Sequence, residues 1–188
     1  MRIITAKTLV PVVCLALVTG LSACKPSSSD AGDSAKVDDP KLDDPTIVAI
    51  FDAANTYDVE TGSLAASEGR SPAVREFGKM LARDHQNVRA QGRELAKSLN
   101  VTPTPPKDFA LAKAHVEAMR ALKKQQGDAF DRAFLQHEVD FHNAVIDAVT
   151  KTLLPAIQNA EVKDLVTKVA PAFVAHRDAA QNLLNQQK

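Results

Sequence analysis

Between Asp128 and Gln158 the residues Phe130, Phe134, Glu138, Phe141, His142, Val145 and Val149 recur at three- and four-residue steps. On a helix of 3.6 residues per turn that spacing makes one stripe, and its apolar character requires burial. A carboxylate and an imidazole sit in the middle of it. Polar groups on a buried face cost free energy unless partners meet them, so the pattern directs attention to polar residues in the middle of the other helices. Glu60, His85 and His176 are such residues.

The remaining pattern predicts three more long helices. The first starts at Asp44-Pro45, with Asp44 as N-cap, and runs to about Gly69 on a stripe of Ile47, Ile50, Ala54, Tyr57, Thr61 and Leu64, with Glu60 on its shoulder. The second starts at Ser71-Pro72 and reaches about Leu99, with Val74, Leu81, Val88 and Leu95 seven apart. Gly78, His85, Gly92 and Leu99 form a neighbouring row. Glycine weakens a helix by about 1 kcal/mol against alanine, so the two glycines flanking His85 imply a close helix approach. A proline-rich segment, 100–107, ends the second helix, and Asp108 is expected to cap a short amphipathic helix closed by Gly127. Asp128 is the expected cap of the third long helix, which Pro155 kinks near its end. The fourth carries Val162, Leu165, Val169, Phe173, His176, Ala179 and Leu183, and is bent by Pro171.

No strand pattern competes with these helices, because β-branched and aromatic residues are sparse at period two. Short first and last turns with a long middle connection predict an all-α fold, a ferritin-like four-helix bundle with a long crossover containing a short helix. That topology makes the second and third long helices parallel. At 1.5 Å per residue, His85 and His142 then stand about 20 and 21 Å from the first turn, and His142 and His176 about 24 and 22 Å from the last. Tyr57 falls at the same height, with Glu60 and Glu138 about 6 Å lower. Three imidazoles and nearby carboxylates are therefore expected to converge from four helices.

Two readings of that layer stay open. In one, Glu60, His85, Glu138, His142 and His176 hold one divalent transition-metal ion, for which mixed nitrogen and oxygen donors are suitable, with Tyr57, Asp84 and Asp131 orienting them. In the other, the same groups hydrogen-bond one another and fix helix register. A two-iron oxidase is not expected, because the Glu-x-x-His pairs it needs are missing before His85 and His176. His115 and His137 are expected at the surface or rim. No phosphate-binding glycine loop and no nucleophile–base motif is present.

The N-terminal segment adds a location. Arg2 and Lys7 precede an apolar run from Leu9 to Leu17, and Leu21-Ser22-Ala23-Cys24 follows. This is the order of a secretory signal peptide, with a run too short to span a membrane. It resembles a bacterial lipobox. Residues 1–23 are accordingly expected to be removed and Cys24 lipidated, with Lys25 favouring the outer membrane. The lipid is the expected contact with the membrane. Cys14 leaves with the signal, so no disulfide stabilises the remainder. Residues 24–44, rich in Ser, Asp, Pro and Gly, read as a disordered tether and 45–188 as the bundle domain. From Thr46 onward eighteen Lys and Arg face seventeen Asp and Glu, which gives no basis for nucleic-acid binding.

Several segments carry a family resemblance. They are 51–60, Val74-Arg75-Glu76-Phe77-Gly78-Lys79-Met80 leading to Asp84-His85, Gly127-Asp128-Ala129-Phe130-Asp131-Arg132-Ala133-Phe134 leading to His142, and Ala170-Pro171 leading to His176. Together they resemble the bacterial envelope family called domain of unknown function 4142. The resemblance covers about 46–184 and implies a ferritin-like bundle in a periplasmic or outer-membrane protein, with metal binding as one implied property and no settled activity. It carries over Glu60, Asp84, His85, Asp131, His142 and His176. The family usually has tyrosine where this chain has Phe134. The resulting expectation is a non-catalytic envelope or stress-related lipoprotein. A metal-binding or redox ferritin-like protein is the alternative.

Overall fold

The computed structural model describes residues 42–187, so the signal segment, Cys24 and nearly all of the tether lie outside the described residues. Within them the chain is all-helical, with no strand. The order is α1 (Asp44–Glu68), α2 (Pro72–Ser98), α3 (Ala110–Leu122) and α4 (Gly127–Ala148), then a π-helical turn (Val149–Leu153), the one-turn α5 (Leu154–Ala156) and α6 (Ala160–Gln186). The expected kink at Pro155 takes the form of that π turn, an irregularity that occurs where a helix is locally overfilled by a residue.

Ser71 caps α2 as expected, its hydroxyl accepting from Val74 N at 3.1 Å ahead of Pro72. Asn159 caps α6 by accepting from the amides of Glu161 and Val162. Three other starts differ from the sequence expectation. Asp43 caps α1, and Asp44, one residue into the helix, accepts instead from Gln158 N and Asn159 N at 2.9 and 2.8 Å. Its carboxylate thereby ties the start of α1 to the turn before α6. Asp108 is solvent-exposed and α3 starts after Phe109 without a side-chain cap. α4 starts after Gln126 with Gly127 at φ 59°, a conformation that favours glycine, and Asp128 pairs with Arg70 at 3.1 Å on the surface.

α1 packs on α2 and α4, and α6 packs on α4 and α2, while α3 touches α1 and α4. The apolar core falls into two clusters. Ile47, Phe51, Val149, Leu153, Val162, Val166 and Phe173 belong to one, and Ala65, Val74, Leu81, Phe130, Phe134 and Ala180 to the other. α1 and α6 pass from the first cluster to the second, whereas α2 and α4 pass from the second to the first. α2 and α4 therefore run the same way, against α1 and α6. Each long helix carries its buried polar residues at the boundary between the clusters: Asn55, Asp58 and Thr61 on α1, His85 on α2, Glu138 and His142 on α4, His176 on α6.

Glycines set the spacing of α1 and α2 beside this boundary. A Cβ on Gly62 would lie 2.7 Å from the Gly78 carbonyl oxygen, and one on Gly78 would lie 2.6 Å from that of Gly62. Gly62 is one turn beyond Asp58 and Gly78 two turns before His85, so this contact fixes how near the carboxyl and the imidazole come. Gly92 meets the Phe51 ring, where a Cβ would sit 3.2 Å away. The close approach expected around His85 is thus present on both sides. Replacing Gly62 by alanine is expected to force α1 from α2 and lower the unfolding free energy by about 1 to 3 kcal/mol. Denaturant titration of the full-length protein measures this; an unchanged midpoint would refute the close-contact account.

Candidate metal centre

Three imidazoles meet at the boundary. The ring centroids of His85 and His176 are 5.0 Å apart, and each lies 5.6 Å from that of His142. All three residues are buried, as are Asp58 and Glu138 beside them. Two sets of donor atoms, each within 4.8 Å of one another, overlap at His142: one from His85, His142 and His176, the other from Asp58, Glu138 and His142.

The surrounding hydrogen bonds assign each ring its tautomer. Asn55 Nδ2 donates to the Phe51 carbonyl at 2.8 Å, which turns Asn55 Oδ1 toward His85 Nδ1 at 2.9 Å. His85 Nδ1 must then carry the proton, with Asp58 Oδ2 a second acceptor at 3.3 Å, and Nε2 keeps its lone pair. His142 Nδ1 donates to the Glu138 carbonyl at 2.9 Å, which leaves Nε2 as the lone-pair atom; it is buried and meets no donor. His176 Nε2 faces Asp84 Oδ2 at 3.4 Å and donates to it, so Nδ1 carries the lone pair. His176 Nδ1 and His85 Nε2 are 3.1 Å apart.

Two lone pairs at that separation repel unless a cation lies between them. A proton is one candidate and a metal ion the other. Two nitrogens bound to one ion at about 2.0 to 2.1 Å are separated by about 2.9 to 3.4 Å in octahedral or tetrahedral geometry. The observed distance is within that range. Burial disfavours the proton, because it pushes His85 down to about 2 and His142 to about 3, each helped by the charge of neighbouring imidazoles, and it lowers His176 against the opposing pull of Asp84.

The carboxyls tell the same story from the other side. Both oxygens of Glu138 and Oδ1 of Asp58 are buried without a hydrogen bond of good geometry, although the two carboxyls interact with each other and Glu138 with Thr61. Burial raises both groups, and the nearby Glu138 charge lifts Asp58 further. Buried acceptors without a well-formed hydrogen bond are rare in native interiors, and here they lie on the Nδ1 side of His142 and His85, with Glu138 Oε2 3.5 Å from His142 Nδ1. Two carboxylates would also neutralise a dication that the apolar clusters on either side could not solvate.

Not every expected residue joins the layer. His85, Glu138, His142 and His176 do, and Asp84 holds His176 from outside. Glu60 does not: its half-exposed carboxylate accepts from His115 Nε2 at 2.7 Å, and Tyr57 stacks on the same ring at 4.1 Å. On α1 Ile47, Ala54 and Thr61 are buried as expected, but between and beyond them Phe51, Asp58 and Ala65 are buried instead of Ile50, Tyr57 and Leu64, so that Asn55 and Asp58 point inward and Tyr57 and Glu60 outward toward α3. His115 is correspondingly buried, against the expectation of a surface position, while His137 lies half-buried beside Phe141. Asp131 is also outside the layer; fully buried, it accepts from Arg70 N and Ser71 N at 2.8 Å each and anchors the α1–α2 turn on α4. Asp58 and Asn55 are the site residues that the sequence reading missed. Their spacing with Gly62 at steps of three and four is the signal that could have found them.

A family profile described as a domain of unknown function (DUF4142) matches residues 27–183. No curated protein and no solved structure matches the chain. Among the described residues, no helix is long and apolar enough to cross a membrane.

The opposed shifts predict the acid response of metal-free protein. Folded values of His85, His137, His142 and His176 are depressed below 6.5, so their contribution to stability is full above that pH and is lost as pH falls. Folded values of Asp58 and Glu138 are raised from 3.8 and 4.5, so their contribution is full at low pH and is lost as pH rises, for Glu138 through about 7. Four groups outweigh two up to about pH 6.5, and above it only the carboxyls act. Stability in chelator is expected to peak near pH 6.5. Urea midpoints measured from pH 4.5 to 8 check this, and a continuous rise through pH 8 would contradict it.

Proposed function

The chain belongs to that family of unknown function, and from its geometry we propose that it is an envelope protein whose helical bundle holds one divalent transition-metal ion. The observation that carries the reading is the convergence of three buried imidazoles, with the lone-pair nitrogens of His85 and His176 3.1 Å apart and that of His142 without a donor, beside the buried carboxyls of Asp58 and Glu138. His85, His142 and His176 supply nitrogen, and Glu138 with Asp58 supplies oxygen. Asn55, the Glu138 carbonyl and Asp84 hold the rings from outside, the arrangement that fixes orientation and raises basicity in protein metal sites. Nitrogen-rich donors of this kind favour zinc, manganese, iron or copper over calcium or magnesium. An ion there would neutralise the carboxylates and cross-link all four long helices.

The reading extends to the arrangement of the bundle and to its location. The neighbour relations and the shared direction of α2 and α4 support a ferritin-like topology, with α3 in the crossover. The signal and the Leu-Ser-Ala-Cys sequence support a lipid anchor at Cys24, on the outer membrane facing the periplasm. Because the donors are enclosed by the bundle, the role that fits is binding rather than turnover of a substrate: open catalytic centres keep a position for water or substrate, whereas structural ones are closed.

Elemental analysis of protein purified without a histidine tag tests the proposal. About one equivalent of zinc, iron, manganese or copper is expected, lost on dialysis against chelator. Restoring the ion should raise the melting temperature, by a free energy of about 2.7 kcal/mol when free metal is a hundredfold above Kd. His142→Ala should abolish that gain, and His137→Ala should keep it. Wild-type protein that carries no stoichiometric metal and gains no stability from any of the four ions would refute the proposal.

A further inference from the structure

Resting on the metal reading above, we infer that the ion enters and leaves the centre on the Asp84 side, with Asp84 as the carboxylate that captures it and Arg83 as the cation that competes for Asp84. The layer is closed almost everywhere: relative exposure is 0% for Glu138, 1% for His85 and His142 and 3% for Asp58. His176, at 6%, is the most exposed of the five. The outer partners differ in the same way. Asn55 behind His85 is buried, and the partner of His142 is a backbone carbonyl inside α4. Asp84 behind His176 has 35% of its side chain exposed.

Asp84 therefore has one oxygen toward the centre and one toward solvent. Oδ2 lies 3.4 Å from His176 Nε2, while Oδ1 is held by Arg83 Nε and Nη2 at 3.0 and 2.9 Å. The guanidinium is itself well exposed, so it can be displaced without unpacking the core. His176 spans the two sides, with Nδ1 toward His85 and Nε2 toward Asp84. A hydrated dication sheds water only as other donors replace it. This is the side on which a partly exposed carboxylate is followed at once by one of the three imidazoles of the site.

The neighbouring clefts offer no such sequence of donors. One of about 540 Å³, by Glu60 and His115, is rimmed by Arg120, Lys123 and Lys124, which repel a dication. Another of about 400 Å³, between α4 and α6, is lined by Ile146, Val149, Pro171, Phe173 and Val174 and is almost wholly apolar. The Phe173 ring closes it off from the layer, stacked on His85 with centroids 5.7 Å apart and packed against His142 at 6.4 Å.

Stopped-flow uptake of Co²⁺ by the metal-free full-length protein, followed by visible absorption, tests this. At low salt Asp84→Asn is expected to slow association by about tenfold and to remove most of its dependence on ionic strength, because the steering charge is gone. Arg83→Ala should speed association, and Asp147→Asn, a surface carboxylate elsewhere on α4, should leave it unchanged. If Asp84 only orients His176, its loss would accelerate dissociation and leave association alone. Association by Asp84→Asn within about twofold of wild type at low salt would overturn the inference. Wild-type protein that takes up no cobalt would instead refute the metal reading itself.

Discussion

The constraint on which this bundle depends is a buried layer of three imidazoles and two carboxyls, for which we propose a shared cation. Without it, two lone pairs face each other at 3.1 Å, a ring nitrogen of His142 is buried with no donor, and the Asp58 and Glu138 carboxyls are buried against one another. Apolar clusters above and below exclude the water that would otherwise satisfy them. Leaving a buried acceptor unmatched costs about 1 to 3 kcal/mol, a large share of the roughly 5 to 15 kcal/mol by which a domain is stable.

The rest of the architecture holds that layer in register. Gly62 and Gly78 let α1 and α2 touch backbone to backbone, which brings Asp58 to His85. Asp131 on α4 binds the amides of the α1–α2 turn, and Asp44 on α1 binds those of the turn before α6. These two carboxylates staple each helical hairpin to the other at opposite ends of the bundle. The heights of His85, His142 and His176 are thus set from both ends, while their tautomers are set by Asn55, a carbonyl and Asp84.

Much of this was legible in the sequence, because a histidine in the middle of an apolar stripe marks both the helix and its buried face. The three histidines fell level when counted along helices whose ends were marked by Ser71-Pro72, Asp128 and the reversal near Asn159. The phase of α1 was not legible. Ile47, Val48, Ile50, Phe51, Ala53 and Ala54 spread apolar character around the helix, so a stripe fixed at Ile47, Ala54 and Thr61 can pass through Tyr57 nearly as well as through Asp58. That difference exchanged Asp58 for Glu60 as the interior carboxyl and sent Tyr57 and Glu60 to His115. The long-range roles of Asp44 and Asp131 left no local signal, since their partners are 114 and 61 residues away. An aspartate near a helix start reads as a cap whether it holds its own helix or a distant turn.

X-ray absorption at the edge of the bound metal, on full-length protein purified without a histidine tag, tests the central claim most directly. The account predicts three imidazole nitrogens at about 2.0 to 2.1 Å with carboxylate oxygen completing the set. It also predicts that one imidazole disappears from the spectrum in each of His85→Ala, His142→Ala and His176→Ala, and none in His115→Ala. A shell built only from oxygen, or one that survives loss of His142 unchanged, would contradict it.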